Sequence, residues 1–274
     1  MNSSFNILTP GFNTTQCELT VIINGQEISF VVLNANKVCV ALVIYPFKKG
    51  AINEQIAEYL NDIIAEHYIL KEVYKKINFI YGFPESILIP HQFLNETVNK
   101  NLLEMVYGDI SSCSTKTDFI IKNNMHNVYC ISNIIVNTIG ELFPKANHFH
   151  LYSLLQNIIQ TDENQLYCII NSTHLIVQLV KGGKLQMVQT FEFKNPEDIS
   201  YYLLSMCKSF DVKPLKTPIL LNGLIDADNL VMVELQRYFT IEYGSLPKSL
   251  IINDEIQKYP LHYFNHLFEL SACV

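Results

Sequence analysis

Arginine is almost absent: Arg237 is the only one in 274 residues. The guanidinium is the preferred planar clamp for phosphate, so an arginine-rich phosphate site is excluded. Basic charge is scarce altogether. Nineteen Lys and Arg stand against 26 Asp and Glu, for a formal net charge of −7 and a pI near 5.6. That disfavours nucleic acid and an anionic membrane surface as partners, because both reward a basic face. No apolar run approaches the ~20 residues that cross a bilayer, which excludes insertion by a helix. The longest candidates, such as residues 38–45, are strand length. The opening MNSSFNILTPGFNTT has neither a basic cluster nor an apolar core and does not read as a signal peptide. The seven cysteines (17, 39, 113, 130, 168, 207 and 273) are odd in number, widely spaced and without CxxC. Most lie in apolar contexts, the pattern of buried free thiols in a reducing cytoplasm. GxSxG is absent and Cys207 falls on a helix face, so a Ser or Cys hydrolase is set aside.

What is present is apolar. Hydrophobic residues make up 49% and charged residues 16%, which is the composition of a globular chain. Its length accommodates two domains. Residues 165–193, QLYCIINSTHLIVQLVKGGKLQMVQTFEF, read as three strands joined by two tight turns. Residues 17–47, CELTVIINGQEISFVVLNANKVCVALVIYPF, read the same way. Asn24-Gly25 and Gly182-Gly183 are hairpin turns that call for positive φ at their central positions. The nearly continuous apolar face of 38–45 suits a central strand covered on both sides.

Each triple is followed by helices and strands in alternation. In the first half, Asn53 opens a helix whose apolar periodicity runs to about Val73. Residues 78–81 and 86–90 are short strands, and Asn95 caps a helix that Gly108 stops. Residues 109–116 are a polar loop, 119–121 and 127–131 strands, 134–143 a helix, 147–152 a strand and 154–159 helical. TDENQ (161–165) is the best linker. In the second half, Asn195-Pro196-Glu197-Asp198 starts a helix, with Pro at the first helical position and acids in the first turn. Residues 218–221 and 240–243 are strands, with a helix capped by Asp226 or Asp228 between them. Leu246-Pro247 opens an irregular tail, and 261–270 is a last helix. Both halves read β-β-β-α-β-α-β, an α/β architecture of mixed sheets flanked by helices. The division is an arm at 1–15, a first domain at 16–152 and a second at 153–274.

Several side-chain groupings could carry chemistry. His148-x-His150 places two imidazoles at period two on a strand, and His262 and His266 stand four apart in a helical segment. Neither pair shows a third ligand, and packing or hydrogen bonding accounts for both. Lys181-Gly182-Gly183-Lys184 is phosphate-friendly in composition but lies in a hairpin turn. Asp226 and Asp228 follow a strand and Gly223, where open α/β sheets bind ligands; helix capping explains them without one. The second half is rich in tyrosine, a residue common at protein interfaces and in half-buried sheet.

The doubled pattern resembles the actin-like ATPases, a duplicated ribonuclease-H-like superfamily. The second half, from SLLQNIIQ through the three strands and ILLNG to YPLHYFNHLFELSACV, is similar to the pilus-assembly and cell-division members. With HFHLYSLL and KYPLHYFNHLFEL, the whole chain from about residue 12 resembles the Bacteroidetes family known as domain of unknown function 3822. The resemblance implies two ribonuclease-H-like domains. Active members carry Asp-x-Gly hairpins in both halves to hold Mg²⁺ and wrap phosphates. Here the first hairpin, IINGQEIS, has no Asp before its turn and only Glu27 after it. In the second, Asn171 stands where Asp is expected and Ser172 or Thr173 where Gly is. The usual glycine pair after the third strand is Lys194-Asn195-Pro196, and the adenosine-contacting Gly-Gly is Asn222-Gly223-Leu224. The resemblance therefore implies a cytoplasmic, non-catalytic pseudo-ATPase without cofactor that works as a protein-binding or scaffold module. The alternative is an ATP- and Mg-binding member with an altered cleft site built from Asn171, Thr173, Asn222, Gly223 and Asp226.

Overall fold

The computed structural model describes residues 2–158 and 161–274. Met1 of the expected arm and Ile159 of the expected 154–159 helix lie outside the described residues. Contacts divide the chain into two compact units: Met1–Leu154 with Ser249–Ile256 and Val274, and Leu155–Lys248 with Gln257–Cys273.

In the first unit the lead-in contributes a strand, β1 (Phe5–Leu8). β2 (Glu18–Ile23), β3 (Glu27–Leu33) and β4 (Cys39–Pro46) form the expected meander. Every residue of β3 after Glu27 and of β4 before Pro46 is buried, so this part of the sheet is covered on both faces. α1 (Asn53–Glu66) follows, then β5 (Lys76–Tyr81). After β5 the chain builds a separate sheet from β6 (Ser86–Pro90), β7 (Cys113–Ile120) and β8 (Met125–Ser132), with α2 (Glu96–Tyr107) between β6 and β7. It returns through α3 (Asn133–Leu142), β9 (Asn147–His150) and α4 (Leu151–Ile158). The main sheet runs β1-β4-β3-β2-β5-β9, with β5 and β9 parallel to β2.

The second unit holds β10 (Gln165–Ile170), β11 (His174–Lys181), β12 (Lys184–Glu192), α5 (Pro196–Ser209), β13 (Ile219–Asn222), α6 (Leu230–Leu235) and β14 (Ile241–Tyr243). The tail adds α7 (Asp254–Gln257) and α8 (Asn265–Ala272). The sheet order is β12-β11-β10-β13-β14, which repeats β4-β3-β2-β5-β9: an antiparallel meander, then two parallel strands beyond the first. Each sheet has its own core. In the second, Leu166, Leu175, Ile199, Leu203, Ile219 and Leu235 are fully buried. A Leu or Ile buried to that degree contributes about 1.5–3 kcal/mol.

Several local expectations are corrected. Neither Asn24 nor Gly25 takes positive φ. The Asn24 Oδ1 instead accepts from the amides of Gln26 (2.7 Å) and Glu27 (3.0 Å), so the side chain closes a longer turn without a left-handed backbone. Gly182 and Gly183 do take positive φ, 54° and 72°. Asn53 is the first helical residue of α1 rather than its cap; the Ile52 amide donates to Gln55 Oε1 at 3.1 Å. α1 stops at Glu66, short of Val73, because His67 turns inward and packs edge-on against Phe30 at 5.0 Å. The expected loop 109–116 is already β7 from Cys113, paired along its length with β8. α6 is capped by Asn229, whose side chain accepts from Val231 N at 2.9 Å, and not by Asp226 or Asp228. The last helix begins only at Asn265, after a 3₁₀ turn over Leu261–Tyr263. Part of the tail is tied to the first unit: Ile251 exchanges backbone hydrogen bonds with Lys37 (3.0 Å) and Cys39 (2.8 Å).

Candidate functional site

In the second unit, parallel pairing sets Ile169 of β10 opposite Asn222 of β13. The turn Asn171-Ser172-Thr173 and the segment 222–226 therefore leave the sheet at the same end, and the structure brings these sequence-chosen residues together. The turn bonds within its own hairpins, and the 222–226 segment bonds to the tail. The Asn171 amide donates to His174 O at 2.9 Å, and the Phe193 amide donates to Thr173 O at 2.9 Å. Thr173 Oγ1 pairs with His174 Nδ1 at 2.9 Å, and His174 Nε2 lies 3.4 Å from Glu192. No residue of this turn has positive φ.

Gly223 is the glycine that geometry requires here. Its φ is +109°, and a Cβ would stand 2.1 Å from Ile170 O. The close approach is to the chain's own backbone, and the Gly223 amide is taken by His262 O at 2.9 Å. His262 Nε2 pairs with Ile225 O at 2.8 Å, and the Tyr263 hydroxyl donates to Asp226 Oδ1. That bond, ahead of burial, pushes the Tyr263 phenol up to about 12. Asn222 is fully buried; its Oδ1 accepts from Asn265 Nδ2 at 3.4 Å, and its Nδ2 has no partner among the described residues. For the hard carboxylate oxygens that Mg²⁺ favours this end offers little: Asn171 carries an amide, Asp226 Oδ1 is engaged by Tyr263, and Glu192 lies beside His174.

In the first unit the corresponding strand ends are those of β2 and β5. Glu27, the one acid of that hairpin, lies within 3.4 Å of Ser29 Oγ, and burial pushes its carboxyl up to about 7. Gly82 fits tightly against the hairpin: a Cβ there would stand 3.2 Å from that of Asn24. Beyond them lies a polar network that the sequence did not reveal. Asp118 accepts from the His150 amide (2.7 Å) and the Tyr129 hydroxyl (3.1 Å), joining β7, β8 and the end of β9. Asn127 bridges the hydroxyls of Ser86 and Ser153, the latter at 3.0 Å. The network anchors the separate β6–β8 sheet to the main one. No sequence spacing signals it, because its members come from five elements.

The remaining candidates have structural roles. His148 Nδ1 bonds the Tyr81 hydroxyl at 2.8 Å. His150 Nε2 bonds Phe83 O at 2.9 Å while its Nδ1 accepts from the Tyr152 amide at 3.1 Å, so neutral His150 caps α4. Burial lowers its pKa to about 4, and that of buried His266 to about 3. Lys181 donates to Phe210 O (2.8 Å) and Asp211 O (3.2 Å), at the C-terminal end of α5 where cations are favoured. All seven cysteines are free, five of them buried. Among the described residues, no group of three or more His, Cys, Asp or Glu could hold a metal ion, and no helix is long and apolar enough to cross a membrane.

Two sheets of one strand order, each flanked by helices, define the actin-like ATPase fold. A Bacteroides thetaiotaomicron protein described as having an actin-like ATPase fold and unknown function matches with a TM-score of 0.78. Identity is 17%, over 96% of this chain and 100% of that one. A chain of the PilM–PilN type IV pilus biogenesis complex matches at 0.60 with 11% identity, over 95% and 98% of the two chains. The ethanolamine utilization protein EutJ from Carboxydothermus hydrogenoformans matches at 0.50 with 8% identity, over 97% and 92%. At these identities the likeness is one of fold. No curated protein matches the chain in sequence. Within the fold, the chain belongs to the family described as "Protein of unknown function (DUF3822)", which matches residues 8–241.

Proposed function

We propose that the chain is a non-catalytic, cytoplasmic pseudo-ATPase that acts by binding another protein, as a docking or scaffold module. The observation that carries this is the internal bonding at the ends of β10 and β13. The Gly223 amide serves His262, Asp226 serves Tyr263, and the Asn171–Thr173 turn offers neither a carboxylate nor a positive φ. Phosphate and Mg²⁺ need those groups free. The fold likeness to a chain solved as part of the PilM–PilN complex supports a partner protein. The charge of −7 and the single arginine argue against nucleic acid in that role.

The second reading, ATP with Mg held by Asn171, Thr173, Asn222, Gly223 and Asp226, rests on one observation, the unpartnered Nδ2 of buried Asn222. Calorimetric titration with Mg-ATP separates the two. The first reading expects no saturable heat; binding tighter than roughly 100 µM that is lost in Asp226→Ala would establish the second.

A further inference from the structure

At the end of the first unit's sheet where β2 and β5 begin, away from the Asn24 turn, lies a cavity of about 560 Å³. That is within the ordinary range for ligand sites, roughly 300–1,000 Å³. The C-terminal part of α1, the 3₁₀ turn Tyr68–Lys71, the first residues of β5 and the turn after α3 enclose it. Its floor is apolar, with Ile64, Leu70, Tyr74 and Phe143 buried beneath it. Its rim is basic: Lys71, Lys75, Lys76 and Lys145 stand against Glu72 alone, on a chain whose net charge is −7. None of these four lysines makes an ion pair among the described residues. Val73 and Leu142 add exposed apolar surface at the same rim, 71% and 38% accessible.

We propose that this cavity is a docking site for an acidic segment of a partner protein, in which a large apolar side chain enters the cavity and flanking Asp or Glu residues meet the lysines. The inference rests on the protein-binding reading above and locates the surface. Three observations select this occupant. Unpaired lysines around an apolar pocket complement an anionic amphiphile. They stand on two separate stretches of chain, 71–76 and 145, which suits several carboxylates spaced along a peptide better than one headgroup. The rim apolar residues extend the contact beyond the cavity, as a peptide would.

The test uses the full chain and a fluorescein-labelled, end-capped peptide alternating Glu with Leu and Phe, read by anisotropy. Saturable binding is expected, weakening as salt rises and by about tenfold or more in K71E/K75E/K145E. These lysines are exposed, so the variant keeps the wild-type melting temperature. The same peptide with Lys for Glu should not bind. Absence of wild-type binding, equal binding by the variant, or displacement of the peptide by palmitate at equal concentration overturns the proposal. Capture from native cells separates this inference from the reading beneath it. A partner retained equally by wild type and variant overturns the cavity and leaves protein binding standing. Wild type that retains nothing overturns both.

Discussion

Glu27 shows how one residue's setting outweighs its type. It is the only acid in the first hairpin, yet burial raises its carboxyl to about 7 from 4.5. Below pH 4.5 the group is neutral in folded and unfolded chains alike. Between 4.5 and 7 only the unfolded chain ionises, so stability falls as pH rises through that window. Glu27→Gln should therefore stabilise the protein at pH 8 by about 3 kcal/mol and leave it unchanged near pH 4. Urea unfolding at both pH values measures this; an equal effect at both would contradict it. The sequence marked Glu27 as a departure from the family pattern, but its pKa follows from what surrounds it. The same holds for Gly223. Its position after a strand was legible, whereas its necessity comes from Ile170 O, a neighbour 53 residues earlier in the chain. Asp118 had no signal at all, since its partners His150 and Tyr129 belong to other strands.

Elements were legible where local chemistry alone decides them. α5 begins as expected: Asn195 Oδ1 accepts from the Asp198 amide at 3.0 Å, Asp198 Oδ2 accepts from the Lys194 and Asn195 amides, and Pro196 takes the first turn. Asn195→Ala removes one of these bonds and should cost about 1 kcal/mol, seen as a lower urea midpoint with an unchanged slope. The Gly182-Gly183 turn is equally local. Reading failed where a side chain or a distant strand intervened. Asn24 substituted its own oxygen for a left-handed backbone. His67 ended α1 by burying itself, although the apolar periodicity continued. Cys113–Ile120 looked polar in its first half because that strand leaves alternate residues exposed; β8 holds it in the sheet.

At the scale of the whole molecule, buried neutral histidines set a limit on acid stability. His150 and His266 have folded pKa values of about 4 and about 3, below the usual 6.5. Above 6.5 both states are neutral. As pH falls below 6.5 the unfolded chain takes up protons that the folded chain refuses, so stability is lost toward pH 4. His266→Leu should remove part of this dependence, roughly 3 kcal/mol between pH 6.5 and 4, and flatten the fall in melting temperature. A parallel fall in wild type and variant would rule out this role for His266. The Glu27 effect has the opposite sign, so the variant is compared with wild type at each pH.

From the sequence alone came the two strand triples, the alternation after them and the doubled α/β plan. These depend on period-two and helical apolar patterning, on glycine turns and on residue chemistry, all local properties. Tertiary structure alone decided that β6–β8 form a sheet of their own, that residues 249–256 pack with the first unit, and that Gly223 and Asp226 are engaged by the tail. It also gathered four lysines from two distant stretches of chain around one apolar cavity. Such pairings join residues distant in the chain, and only the folded path decides which of many similar apolar and polar groups meet.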